Sequence, residues 1–249
     1  MKKQGGREVK EFALERALLS ALSDDLALPL LQIKTALDLL EQDSRQSTKK
    51  SRTHVERLRF SADSGLQLIE AYRLVLRPTP STTLPLEPIA IGSVLQDVAH
   101  RLSPYAKHYG ATLEVDIKGN IIPALAHKAS LSTALQCLGV SIIRAQAAGG
   151  TPAKDYRILL GAHRATGHAV VTGVFSNMHG VSDRVLRTAR DLAGRARQPL
   201  TDVPQGATAG VLIADLLCSA MWHPLRAAAH RNLHGLATNV PVSKQLQFV

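Results

Sequence analysis

The feature that most constrains the fold is a leucine-rich periodic segment near the N-terminus. That spacing lines one face of a helix with apolar side chains, and it predicts a helix over about 9–42. Asp24 lies off this stripe, and Pro29 is expected to kink a helix already begun. The stripe consists of Leu18, Leu22, Leu26, Leu30, Ile33, Leu37 and Leu40.

A second periodic segment follows the short polar stretch 43–48, which predicts a turn between two helices. Its apolar face contains Val55, Leu58, Ala62, Leu66, Ile69 and Leu76. Two long amphipathic helices joined in this way form a hairpin whose apolar stripe is too wide for one partner helix to cover. Pairing with a second copy buries the stripe, so residues 8–77 are predicted to form a dimeric four-helix bundle.

The proline-rich stretch 78–85 interrupts the helical pattern and predicts a linker. Beyond it, residues 86–249 mix two hydrophobic periods. The longer period predicts helices over 92–108, 128–147, 182–194 and 207–220. The period of two predicts strands over 86–91, 112–117, 156–163, 168–175, 226–231 and 235–240. This mixture predicts an α+β sandwich with helices on one sheet face.

Composition excludes several classes of protein. No apolar run reaches the roughly 18 residues that span a bilayer. The charged start is not followed by an apolar run, so no signal peptide is predicted. Cys137 and Cys218 lie in apolar helical segments, which predicts buried free thiols and a cytoplasmic location. No Cys/His cluster has metal-ligand spacing. The net charge of +10 raises affinity for polyanions. Because no nucleic-acid-binding motif accompanies it, a solvated basic surface is favoured over a nucleic-acid partner.

The helix around Asp24 carries a motif. Its residues Asp24-Asp25-Leu26-Ala27-Leu28-Pro29-Leu30 resemble the phospho-acceptor box of sensor histidine kinases, which reads His-Glu-Leu-Arg-Thr-Pro-Leu. The order of elements after residue 86 resembles the ATP-binding domain that these kinases share with gyrase and Hsp90-type chaperones. Together the two parts of the resemblance cover about residues 10–249.

The resemblance allows each chemical position of the family to be checked. The Mg²⁺-binding box, Asn-Leu-x-x-Asn-Ala, corresponds to Gln136-Cys137-Leu138-Gly139-Val140-Ser141, so Val140 replaces the metal-binding Asn. The adenine-binding box, Asp-x-Gly-x-Gly, corresponds to residues 176–180. Ser176 there replaces the carboxylate, Met178 replaces the first glycine, and Gly180 is retained. The glycine-rich lid corresponds to residues 206–214, with Gly206 and Gly210 retained.

Acceptor, metal ligand and adenine anchor are therefore replaced together, at Asp24, Val140 and Ser176. This combination predicts a catalytically inactive, cytoplasmic, histidine-kinase-like dimer without a cofactor. The resemblance implies a response regulator or a histidine kinase as its partner in bacterial two-component signalling. The expected docking surface contains Asp24, Asp25, Leu28, Pro29 and Gln32.

The alternative is a divergent histidine kinase or phosphotransferase that still binds ATP with Mg²⁺ or relays phosphate. Under that alternative, Asp24 or His54, the one histidine of the predicted hairpin, is the candidate acceptor. The other histidines show no carboxylate partner at a diagnostic spacing, which favours no special role for any of them. They are His100, His108, His127, His163, His168, His179, His223, His230 and His234.

Overall fold

The computed structural model describes residues 31–33, 35, 37, 39–40, 58, 84–148, 156–165, 168–177, 183–194 and 207–243. One compact unit of the chain comprises Arg77–Arg195 and Gly206–Val249. Within the described ranges, no helix is both long and apolar enough to cross a membrane.

The described residues of the N-terminal segment are helical. Leu31, Leu37 and Leu39 are all exposed in the single chain. Their helical state agrees with the periodic pattern. The rest of the predicted hairpin and nearly all of the predicted linker lie outside the described residues.

The second part of the chain contains four helices and seven strands among its described residues. The helices are α1 (Ile91–His108), α2 (Lys128–Ala148), α3 (Asp183–Gly194) and α4 (Ala207–Ala220). The strands are β1 (Glu87–Ile89), β2 (Thr112–Lys118), β3 (Ala124–Ala126), β4 (Arg157–Ala165), β5 (Ala169–Ser176), β6 (Arg226–His230) and β7 (Leu233–Pro241). The fold is α+β, as predicted.

The strands form a mixed five-stranded sheet and a small two-stranded sheet. The order of the large sheet is β2-β4-β5-β7-β6, and β2 pairs with β4 in parallel. A parallel pair needs a long crossover connection, and α2 lies within it. The remaining neighbours pair antiparallel, with Gly161 opposite Gly173 in the centre. The small sheet joins β1 and β3 antiparallel.

The main core lies between one face of the sheet and the helices. Side chains of α2 that recur at helical spacing, including Leu131, Leu135 and Leu138, are buried there. The alternate β4 residues Ile158 and Leu160 are also buried. Removing aliphatic surface from water stabilises a fold by roughly 25 cal/mol per Å². A core of leucine, isoleucine and valine therefore stabilises this domain with few aromatic residues.

The opposite sheet face carries a smaller cluster made only of strand residues. Its buried members are Leu159, Val171, Phe175, Leu233 and Ala237. Burial on both faces makes β4 and β5 nearly continuous apolar runs, which is the pattern of a central strand.

Two features differ from the sequence-based prediction. β3, at three residues, was not predicted because so short a segment shows no period. The turn between β6 and β7 is tighter than predicted, since β7 begins at Leu233 rather than at residue 235. Arg231 and Asn232 form this two-residue turn, with φ values of 46° and 62°. Positive φ at both positions is typical of the hairpin turn that matches strand twist.

Candidate functional site

The position that corresponds to the family's metal ligand lies in the middle of α2. Val140 is half-buried there and presents only carbon atoms. One turn earlier Gln136 is buried, and its Nε2 donates a hydrogen bond to Ser132 Oγ at 3.4 Å. Mg²⁺ requires oxygen ligands in near-octahedral geometry, which a valine does not supply.

Gly210, which the resemblance assigns to the glycine-rich lid, lies where α4 contacts α2. A Cβ atom at this position would overlap Ser141 Oγ and lie 3.0 Å from the carbonyl oxygen of Cys137. Gly210 therefore permits the close approach of two buried helices. The structure brings together Ser141 and Gly210 from two of the predicted boxes. Gly206 lies outside the described residues.

Ser176 is the last residue of β5 and is 2% exposed. It pairs across the sheet with Ile158 on one side and His234 on the other. The next residue, Asn177, closes the strand end, since its Oδ1 accepts a hydrogen bond from the backbone N–H of Arg157 at 3.0 Å. Because Ser176 pairs directly with Ile158, its side chain projects from the same sheet face as that isoleucine. Gly180 lies outside the described residues.

The described positions of the predicted nucleotide site supply an amide, a hydroxyl and hydrocarbon. They belong to α2, β5 and α4, and α2 contacts both of the other elements. Of the predicted docking residues, Gln32 is helical and partly exposed. Asp24, Asp25, Leu28 and Pro29 lie outside the described residues, as does His54.

His230, which has no carboxylate at a diagnostic spacing in the sequence, has a carboxylate partner in the fold. Its Nε2 lies 2.7 Å from Asp116 Oδ2, and its Nδ1 lies 3.0 Å from His163 Nδ1. Arg231 also contacts Asp116, with Nη2 2.7 Å from Oδ1. No sequence spacing signals this cluster, because Asp116 and His230 are separated by 114 positions.

The cluster lies on the sheet face opposite the helices. The His230 ring stacks between His163 and Phe175, at centroid distances of 5.0 and 5.3 Å. Gly161 lies beneath it, and a Cβ there would come within 3.2 Å of the ring. Asp116 belongs to β2 and His230 to β6, which are the two edge strands. The strongly coiled sheet thus has its two edges joined by side-chain bonds.

Proton sharing restricts the charge state of this cluster. Only one of the two facing Nδ1 atoms can carry a hydrogen, since one must donate and the other accept. Burial lowers the pKa of His163, and nearby His230, Lys118 and Arg226 lower it further. These surroundings therefore disfavour the charged form of the His163 ring.

The two cysteines are buried free thiols, as predicted. Burial raises the pKa of Cys218 to about 12, with a contribution from Asp215. A thiol with this pKa is not a nucleophile at neutral pH. Among the described residues, no group of three or more His, Cys, Asp or Glu side chains is arranged to hold a metal ion.

Comparison with known proteins identifies the architecture. No protein-family model matches the chain, and no curated protein matches it in sequence. Among solved structures, the histidine kinase AdeS of Acinetobacter baumannii is similar with a TM-score of 0.52 and 8% identity, over 88% of this chain and 98% of that one. A histidine kinase of Burkholderia phymatum gives a TM-score of 0.41 and 13% identity, covering 94% of this chain and 98% of that chain.

The catalytic domain of histidine kinase ThkA also matches, at a TM-score of 0.42 and 9% identity, over 63% of this chain and 95% of that one. At these identities the likeness is one of fold, and the AdeS match carries it. The α+β architecture described above accords with that match. The chain therefore has the fold of a sensor histidine kinase core.

Proposed function

We propose that this protein is a catalytically inactive, histidine-kinase-like dimeric scaffold in bacterial two-component signalling. The observation that carries the proposal is Val140, a hydrocarbon side chain where kinases of this fold place their Mg²⁺-binding asparagine. Without that ligand, the metal that neutralises the phosphates of ATP has no protein anchor on α2.

The buried Ser176 supports the same proposal. A serine hydroxyl is shorter than an aspartate side chain and carries no charge, so it makes a weaker acceptor for an adenine amino group. Fold and activity separate readily, because the hydrophobic pattern specifies the fold while chemistry depends on a few side chains placed on it.

The exposed leucines of the N-terminal helix support dimerisation. Leu31 and Leu37 are 60% and 48% exposed in the single chain, and apolar side chains of this size favour burial in an interface. Light scattering is expected to give the mass of a dimer. Leu37→Glu is expected to lower that mass to the monomer, whereas Thr35→Glu, at a neighbouring exposed helical position, is expected to leave it unchanged. A monomeric parent protein would refute the dimer.

The partner in this proposal is a response regulator or a histidine kinase. In this proposal it binds the surface predicted to contain Asp24, Asp25, Leu28, Pro29 and Gln32, and no cofactor takes part. Incubation with labelled ATP, with and without a response regulator, distinguishes this inactive scaffold from a divergent kinase or phosphotransferase. The scaffold takes up no label. Stable label that disappears on substitution of His54 or Asp24 would establish the enzyme instead.

A further inference from the structure

A concave region lies at the far end of α4. It has a volume of about 460 Å³ and is bordered by the end of α4, the start of β6, and residues of α3 and β7. This volume lies within the range of small-molecule sites. The helix runs about 20 Å from the Gly210 end to this one, so the region shares no residue with the predicted nucleotide site.

The charge of this region is positive. Arg190 and Arg226 line it, and no carboxylate does. Arg190 is already paired with the buried Asp215, with Nε 2.8 Å from Oδ2, and its Nη2 donates to the carbonyl of Leu225 at 2.6 Å. Arg226 hydrogen-bonds the neutral amide of Asn239. Within the described part of the chain Arg226 has no carboxylate partner, so its charge is available to an anion.

Trp222 supplies an aromatic surface at the rim. It is 76% exposed and is the single tryptophan of the chain. Its φ of 67° places it in the left-handed position that follows a helix end, where glycine is usual. Backbone bonds from Trp222 N–H to Ser219 O at 2.9 Å and from His223 N–H to Cys218 O at 2.9 Å hold this conformation. An exposed indole kept at a glycine position is a costly feature that folding alone does not require.

His223 contributes a neutral ring to the wall of this region. Burial lowers the pKa of this imidazole, which keeps the ring uncharged at neutral pH. Its Nε2 makes no hydrogen bond in the structure, but this atom is closed off from solvent and does not face a ligand. Leu225 and Pro224 complete an apolar wall beside the ring.

We propose that this region binds a small organic anion with a planar ring. The ring stacks on Trp222, and the anionic group pairs with Arg226. Stacking on indole and pairing with a guanidinium suit such a ligand because each recognises one part of it.

The single tryptophan makes the test direct. The probes are 2-naphthoate, which has both ring and charge, 2-naphthamide, which keeps the ring without the charge, and acetate, which has the charge alone. In a ¹H–¹⁵N spectrum, 2-naphthoate is expected to shift the one indole N–H signal saturably. The other two probes are expected to bind at least tenfold more weakly. An unchanged indole signal up to the solubility limit of 2-naphthoate, or equal binding of 2-naphthamide, would overturn the proposal.

Variants separate binding from folding. Arg226→Gln is expected to weaken 2-naphthoate binding at least tenfold, whereas Arg101→Gln, an exposed charge-matched control on α1, is expected to leave it unchanged. Trp222→Gly relieves the left-handed strain, so it is expected to raise the unfolding temperature while abolishing binding measured by calorimetry. Retained binding in either Arg226→Gln or Trp222→Gly would contradict the proposed site. These residues are absent from the scaffold proposal, so either proposal can fail alone.

Discussion

Asp116 is the residue that joins the two edges of the sheet. It is 12% exposed and contacts both His230 and Arg231. When an acid in such a place is removed, the remaining groups stay desolvated without a partner, which is costly. The exposed ion pair between Glu114 and Arg157, on the same strand, offers a contrast, since Glu114 is 39% exposed.

Asp116→Ala is expected to lower the free energy of unfolding by about 3 kcal/mol. Glu114→Ala, two residues away on the same face, is expected to cost less than about 1 kcal/mol, because solvent screens an exposed pair. Chemical denaturation of both variants measures the difference. Equal costs for the two substitutions would show that the Asp116 cluster does not hold the sheet edges together.

His163 makes stability depend on pH. Its folded-state pKa is lowered from the ordinary value of 6.5, so below about that pH the unfolded chain binds more protons than the folded one. The contribution of His163 is therefore present in full above pH 6.5 and is lost as the pH falls toward the lowered folded-state value.

The denaturation midpoint is expected to decrease as the pH is lowered from 7.5 to 5.5. His163→Gln is expected to make this decrease smaller. His223, whose pKa is also lowered by burial, contributes in the same direction. The matched control is His100→Gln at an exposed position of α1, which is expected to keep the parent slope. An unchanged slope in His163→Gln would contradict this assignment.

At the scale of elements, α2 and α4 form an extensive helix–helix contact. Gly210 lies against the Ser141 side chain and the Cys137 carbonyl, so α4 contributes no side chain at the point where the two helices meet. Close packing of this kind leaves no space for an added methyl group.

Gly210→Ala is expected to lower the free energy of unfolding by about 2 kcal/mol, because the new Cβ overlaps Ser141 Oγ. In a Ser141→Ala background that oxygen is absent, so Gly210→Ala is expected to cost less. A thermodynamic cycle over the four proteins measures the coupling. Additive costs would show that the two residues do not share this contact.

The sequence predicts an element well when the pattern that specifies it lies within the element itself. α2 was predicted over 128–147 and occurs as Lys128–Ala148, because its leucines and isoleucines repeat at helical spacing over many residues. Gln136 and Val140 therefore lie one turn apart on a single helix. The parallel pairing of β2 with β4 was not predicted, since alternation specifies a strand but not its neighbour.

The sites formed between distant strands were missed for the same physical reason. Asp116, His163 and His230 meet only because the sheet is coiled, and no local pattern records that curvature. The strain at Trp222 was equally invisible, since its φ is set by the end of α4 and by the bonds that follow it.

At the scale of the whole molecule, the chain combines a kinase fold with substituted chemical positions. Val140 is compatible with its helix and Ser176 with the end of its strand, so the inactivity that we propose carries no cost in stability at these two positions. The net charge of +10 belongs to the surface and bears on solubility and partner choice rather than on the fold.

Restoring the family's side chains tests how well the substituted positions suit the fold. Val140→Asn with Ser176→Asp returns an oxygen ligand to α2 and a carboxylate to the end of β5. Since Ser176 is buried, the double variant is expected to be less stable than the parent, and comparison of unfolding temperatures measures that loss. A double variant as stable as the parent would contradict the buried placement of Ser176.

The central claim is that the protein does not bind Mg·ATP, and titration calorimetry of the full chain with ATP, with and without Mg²⁺, tests it most directly. The account predicts no binding heat in either condition, and a catalytically active histidine kinase core under the same conditions serves as the positive control. Micromolar affinity that depends on Mg²⁺ would contradict the account and establish a nucleotide-binding enzyme in its place.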